Sequence, residues 1–464
     1  MKVRIEKDSL GEVEVPASAC YGAHTARSLQ NFPISGYTAP EEQVVALSHI
    51  KRACARANGE LKGLAPRMVK AIEAACREIA GGALREQMKV DIFSAGSGTS
   101  INMNINEVIA HRAAELMGGK ARVHPNDHVN MGQSTNNVFP SSIRVAALPM
   151  LRALIASAAR LERALRVNAR RFDRVIKSGR THLQDAVPIR MGQVFGAYAY
   201  AIEKDIARLK GKTGPLSELG VGGNAVGTGI NTHASFRARI IRNLNRETGE
   251  RYRVTKNGVE ATHNLTDLAD TSSGIVSLAL DVQRICTDLM LMASGPNTGF
   301  DEIRLPPVEP GSSIMPGKIN PSILESARMA CLKAHGNHQT IVMAAQSAHL
   351  ELNTTMPVAG FCLLESLRIM RAALDNLAER CISGITVNRE KCRRYAMQSP
   401  SLAAFLNPLI GYDRAAQVAK QAVREGKTVP EVVRERSLLT GKEIARVFDP
   451  KTLTTPYKGK PGAR

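Results

Sequence analysis

The stretch richest in chemical possibility is Gly311-Ser312-Ser313-Ile314-Met315-Pro316-Gly317-Lys318-Ile319-Asn320, with Glu325 just beyond it. Two glycines, a proline and two serines in ten residues exclude a helix or a regular strand. The segment reads as a loop whose backbone N–H groups can face a ligand. It carries two hydroxyls, one ammonium and one carboxamide, the groups that grip a carboxylate and stabilise negative charge growing on it. Three other stretches have the same character. Ser94 to Glu107 places Ser97, Thr99, Asn102 and Asn104 where a small-residue loop opens a helix. Unpaired N–H groups and the macrodipole favour anions at such a start. His124 to Asn137 concentrates carboxamides and hydroxyls, including Asn130, Ser134, Thr135 and Asn136, where a solvated loop would use Lys, Glu and Gly. Ser178 to Pro188 holds Thr181, His182 and Gln184 and reads as a loop between two long helices. A lone loop histidine is more often structural than catalytic; His182 gains weight from its neighbours.

These loops need a frame, and the frame reads as helical. Apolar residues recur near every third or fourth position over 40–84, and the longest helical segments fall at about 141–176, 190–212, 263–294, 321–350 and 357–382. Within them, 273–294 and 325–347 are apolar over more than one face, so they should be buried on every side by copies of the same chain. Residues 1–40 suggest an irregular arm with a few strands. After Gly384 the pattern turns to short helices punctuated by Pro408, Pro430 and Pro450, and the tail Lys458–Arg464 is expected to be disordered. The Gly-rich run 214–234 is not a nucleotide loop, because no strand precedes it and no lysine follows.

Composition narrows the function classes. The formal charge of +20 comes from dispersed basic residues, with no Trp and only 4% aromatics, so the stacking platforms of a nucleic-acid binder are missing. The positive potential can instead help draw in a dianion. Eight scattered cysteines without a CxxC pair argue against a disulfide framework or a zinc site and for a reducing compartment. The N-terminus lacks an apolar leader, and no stretch reads as long and apolar enough to span a bilayer, so a cytoplasmic protein is expected.

Gly-Ser-Ser-x-Met-Pro-x-Lys-x-Asn resembles the signature loop of the fumarase/aspartase superfamily, and the resemblance runs from about Val3 to Lys458. It implies a mainly α, three-domain fold, divided at 1–135, 136–388 and 389–464. It also implies a homotetramer around a twenty-helix core, with active sites built from three subunits and a small dicarboxylate as substrate. Tyr21-Gly-Ala-His24-Thr25, His124-Pro-Asn-Asp-His128, Ser134-Thr135, and the segments 381–388 and 438–448 resemble aspartases. Ser97-Gly-Thr99, 222–233 and 411–420 lean toward fumarases. Asn137, Asn297 and Met131-Gly132 depart from the family's usual Asp, Arg and Lys-x. The resemblance implies deamination of L-aspartate to fumarate, with hydration of fumarate as the alternative on the same frame. By the same match Ser312 is the general base. Lys318, Asn320 and Ser313 bind one carboxylate, and Thr99, Ser134 and Thr135 the other. Thr181, Asn136 and His182 recognise carboxylate or amino group, with Glu325 orienting His182. No metal or organic cofactor is implied, because the substrate's own carboxylate is the electron sink.

Overall fold

A computed structural model describes residues 2–119 and 122–456, so the expectation for the tail Lys458–Arg464 lies outside the described residues. The chain is mostly helical, with four two-stranded sheets among the described residues. Strands β1 (Val3–Asp8) and β2 (Gly11–Pro16) pair antiparallel, Val3 opposite Pro16 and Asp8 opposite Gly11. The helices that follow are α1 (Ala23–Asn31), α2 (Glu41–Glu60), α3 (Pro66–Ala80), α4 (Thr99–Leu116), α5 (Thr135–Arg171) and α6 (Met191–Gly211). Beyond α6 the main elements before the C-terminal segment are the helices Phe236–Thr248, Thr266–Ala293, Ser322–Gln346 and Met356–Arg380. The long ones fall close to the positions that periodicity predicts. The 40–84 stretch is two helices, parted where Lys62 turns left-handed (φ 61°) and Pro66 opens the next helix.

Helix α5 departs most from expectation. It starts at Thr135 rather than near 141, which moves Thr135 and Asn136 from a loop into a first helical turn. It also keeps Pro149 in its interior. Proline supplies no N–H to the carbonyl four residues back. Here that carbonyl belongs to Val145, and the Tyr252 hydroxyl donates to it at 3.1 Å. By length and composition α5 could cross a membrane, contrary to the sequence expectation, yet most of its apolar stretch is buried inside the fold.

The described chain falls into two compact units. The first comprises Met1–Ala156, Asp205–Ala279 and Ala330–Arg371. In it α2 packs on α3 and on Phe236–Thr248, and α4 on α3 and α1. Leu47, Ile50, Ile72, Ile105 and Ile109 are fully buried there, each contributing about 1.5–3 kcal/mol. The Glu107 carboxylate of α4 accepts from the backbone N–H groups of Gly22, His24 and Thr25, placing negative charge at the start of α1.

The second unit comprises Ser157–Lys204, Leu280–Met329 and Ala372–Arg464. Its core joins Ile176 to Leu402, Leu406, Val418, Val432, Val433 and Phe448 of the C-terminal helices. Two of those helices open on reciprocal caps, Thr428 with Glu431 and Thr440 with Glu443. Residues 178–188, expected as a loop, lie within an antiparallel hairpin of β3 (Ile176–Thr181) and β4 (Gln184–Arg190) with a bulge between Ser178 and Arg180.

In a single chain, the helix Ser322–Gln346 buries Leu324, Ala327, Cys331, Ala334, Ile341 and Ala344. Its other face leaves Met329, Leu332 and Met343 about 60% exposed (64%, 58% and 62%). Leu280 of Thr266–Ala293 is likewise 56% exposed.

Candidate active site

The loop at Gly311 is held by its own polar groups. Asn320 Nδ2 donates to the Gly311 carbonyl at 2.6 Å, and Lys318 Nζ donates to Asn320 Oδ1 at 2.7 Å. The two ends of the loop pass so closely that a Cβ on Gly311 would lie 2.0 Å from the Lys318 carbonyl oxygen. Ser312 Oγ accepts from the N–H groups of Ile314 (3.3 Å) and Met315 (3.1 Å). Two N–H donors on one hydroxyl oxygen favour the form in which that oxygen is negative. Ser313, Lys318 and the apolar Ile314 are exposed. Glu325 lies in the first turn of Ser322–Gln346, also exposed, where its charge suits the helix start. Among the described contacts it makes none with His182.

Thr181 and His182 stand at the tip of the β3–β4 hairpin, both exposed. His182 (φ 56°) and Leu183 (φ 60°) form the two-residue turn. Positive φ at both positions is the territory of Asn-Gly, and a histidine and a leucine held there store backbone strain, a feature concentrated at functional sites. Below the tip, Glu302 is fully buried between Lys177 Nζ (3.2 Å) and Arg180 Nη1 (2.9 Å). Arg180 also stacks 4.3 Å over the Phe300 ring. Burial holds the Lys177 ammonium below its usual range, against the upward pull of Glu302. This triad fixes the strand that carries Thr181.

The remaining site residues belong to the first unit. Gly98 (φ 83°) and Ser97 (φ 59°) turn the chain into α4, and a Cβ on Gly98 would meet the buried Phe139 ring at 2.3 Å. Thr99 is thereby placed at the helix start, its hydroxyl 3.4 Å from Ser97 Oγ. Ser134 caps α5, its Oγ accepting from Asn136 N at 3.2 Å. Asn102, three residues along α4 from Thr99, donates from Nδ2 to Thr135 Oγ1 at 3.0 Å. The Thr135 oxygen is thus occupied as an acceptor, and its own hydrogen is left to donate outward. Asn136 Nδ2 donates to the Ala225 carbonyl at 2.8 Å, which turns its carboxamide oxygen away as a free acceptor. Asn137, where an Asp is usual in the family, is fully buried and donates to Thr262 Oγ1 at 2.7 Å.

Within the chain, the predicted residues gather as three sets. Ser312, Ser313, Lys318 and Asn320 share the loop; Thr181 and His182 share the hairpin tip; Thr99, Ser134, Thr135 and Asn136 surround two helix starts. Sequence reasoning missed Glu302 and Lys51. Lys51 of α2 is fully buried, and its Nζ donates to Asn130 Oδ1 at 2.7 Å. Burial pushes its ammonium down to about 7. The available signal was its register: Lys51 follows Leu47 by four residues and precedes Cys54 by three, on the buried stripe.

Residues 11–336 match the family described as Lyase, and residues 402–455 match the family described as Fumarase C C-terminus. The chain is 40% identical over 457 residues to an aspartate ammonia-lyase of Bacillus subtilis (strain 168), covering 98% of this chain and 96% of that one. It is also 40% identical over 465 residues to a class II fumarate hydratase of Thermus thermophilus, covering 99% and 100%. A solved structure of a fumarate lyase:delta crystallin from Brucella melitensis, bound to cobalt, superposes with a TM-score of 0.93 at 43% identity, covering 98% and 100%. With the helix frame, the polar loop and both domain matches in agreement over nearly the whole chain, this protein belongs to the fumarase/aspartase superfamily of lyases.

Proposed function

We propose that the protein deaminates L-aspartate to fumarate and ammonia. The Ser312 oxyanion removes a proton from the carbon next to one carboxylate, and the C–H electron pair moves into that carboxylate to give an aci-carboxylate dianion. Collapse of the dianion forms the C=C bond and breaks the C–N bond. The amine departs as ammonia and takes a proton from solvent, while Ser312 returns its proton to solvent. Lys318, Asn320 and Ser313 hold the carboxylate that takes the charge, the largest electrostatic demand of the reaction. Thr99, Ser134 and Thr135 donate to the distal carboxylate. Thr181, His182 and Asn136 surround the ammonium, with Glu325 orienting His182 once subunits assemble. The two N–H groups on Ser312 Oγ support its role as base.

The observation that carries the choice of ammonia is the carboxamide of Asn136. Its nitrogen is engaged by Ala225, so it offers an oxygen, and an ammonium needs acceptors where a departing hydroxyl needs a donor. The exposed apolar face of Ser322–Gln346 supports a homotetramer whose sites draw residues from three subunits. The chain divides on this reading into 1–135, 136–388 and 389–464.

Hydration of fumarate to L-malate is the second reading, favoured by the fumarase-like 97–99 and 222–233 segments and by a fumarate hydratase relative at the same 40% identity. One assay separates the two. Purified protein is given L-aspartate and L-malate side by side, and fumarate and ammonia are followed. Ammonia and fumarate in equal amounts from L-aspartate are expected; fast interconversion of L-malate and fumarate without ammonia release would reverse the assignment.

A further inference from the structure

The first unit holds a buried ammonium that the proposed reaction does not use. Lys51 is fully buried, and its Nζ has one described hydrogen-bond partner, Asn130 Oδ1. Buried ammonium groups are ordinarily paired with an anion. Among the described residues no carboxylate lies within ion-pair distance of this one. The titratable groups that face it are Cys54 on its own helix and Cys76 on α3, and burial pushes both thiols up to about 12, which leaves them neutral. The other elements packed on α2, namely α4, the single π-turn Pro125–Val129 and Phe236–Thr248, bring no described charged group against it.

A chain of carboxamides leads from Lys51 to the proposed anion site. Asn130 Oδ1 also lies 3.5 Å from Asn102 Nδ2, and the same Nδ2 donates to Thr135 Oγ1 at 3.0 Å. Asn102 is fully buried, and its Oδ1 has no hydrogen-bond partner among the described residues. Each group is oriented by the one behind it, so the Thr135 hydroxyl faces the anion as a donor. An anion held there is the charge that Lys51 lacks.

We infer that Lys51 is a positioning residue and buried counter-charge for the dicarboxylate held at Thr99, Ser134 and Thr135, and that it takes up a proton as the dianion binds. The inference rests on the reading of that cluster as a dicarboxylate site. Its sign follows from linkage. In the free protein burial holds the ammonium near neutrality; a bound anion favours the charged form and raises its value. Between the two values the bound protein carries the extra proton, so binding draws protons from solution and affinity falls as pH rises through that window. The fall is about tenfold for each unit by which the anion raises Lys51.

The test is titration calorimetry of the whole protein with succinate, a dicarboxylate with neither leaving group nor double bond. It is run near neutral pH in two buffers of different ionisation enthalpy. Net proton uptake is expected in the wild type and its loss in Lys51→Met, with succinate affinity and KM weakened about tenfold and kcat changed far less. Asn130→Asp is the second variant, for the case that Lys51→Met does not fold. Its carboxylate holds Lys51 charged before and after binding, so uptake should vanish there too. Succinate binding without uptake in the wild type overturns the inference, as does uptake unchanged in Lys51→Met. Turnover of L-aspartate or L-malate by the same preparation tells the two failures apart. An active enzyme that binds succinate without uptake sinks the role of Lys51 alone; a protein with neither turnover nor binding sinks the lyase reading with it.

Discussion

Glu302→Ala is the sharpest probe of how the hairpin is held. Glu302 is fully buried, with Lys177 and Arg180 at 3.2 and 2.9 Å and only 7% and 14% of their side chains exposed. At an effective dielectric of about 20, each attraction is roughly 5 kcal/mol before desolvation. Most of that offsets the cost of bringing three charges out of water. Deleting the carboxylate reverses the balance, because two buried cations then face each other without an anion. A loss of about 3–5 kcal/mol is expected. Glu302→Gln, which keeps the shape and one acceptor, should lose less, about 2 kcal/mol. The deficit should also shrink with rising pH. In the wild type Glu302 pulls the Lys177 ammonium up against desolvation, and without that pull Lys177 titrates further below its unfolded value. Native protein then holds fewer protons than the unfolded chain, and its stability rises with pH through that window. Urea denaturation at several pH values gives the magnitudes, and hydrogen exchange over 176–190 shows where the loosening lies. A Glu302→Ala protein within about 1 kcal/mol of wild type, with hairpin exchange unchanged, would refute the reasoning.

Three further outcomes are expected. Ser312→Ala should keep its assembly and substrate affinity while turnover falls by about 10³-fold or more, measured by steady-state kinetics; near-normal turnover would remove Ser312 from the role of base. Mixing inactive Thr181→Ala/His182→Ala subunits with inactive Ser312→Ala subunits should restore part of the activity after verified exchange, and no recovery would count against composite sites. Gly98→Ala should lose about 2–5 kcal/mol in urea and raise KM, since its Cβ would strike Phe139 at 2.3 Å and its φ is 83°. Gly317→Ala, at φ 84° with open space around it, should lose only about 1–2 kcal/mol.

The helical frame was legible because its apolar residues keep a 3.6-residue period over twenty residues or more. Pro149 does not break α5, since the carbonyl it orphans is answered by Tyr252. The hairpin was not legible, and the reason is specific. Its strands carry Gly179 and Pro188, and its turn is His-Leu where a hairpin would announce itself with Asn-Gly. The first turns of α5 are polar, Thr135-Asn136-Asn137, and carry Pro140, so apolar periodicity places the start near 141 instead of at Thr135. The loop at 311–320 was visible from residue types alone, but the donation of Ile314 and Met315 N–H groups to Ser312 depends on how the chain turns back at Gly317. Lys51 and Glu302 were hidden for a common reason: a charge reads as surface until its burial is known.

The tip of the β3–β4 hairpin has a consequence for anyone who would make this protein more heat-resistant. By conformational criteria His182-Leu183 is an obvious site to rebuild as Asn-Gly, which adopts φ values near 56° and 60° without steric cost. The exchange would relax the turn and stabilise the fold. It would also delete the imidazole and the one exposed leucine beside it. At this turn thermal robustness and the proposed chemistry ask for different residues.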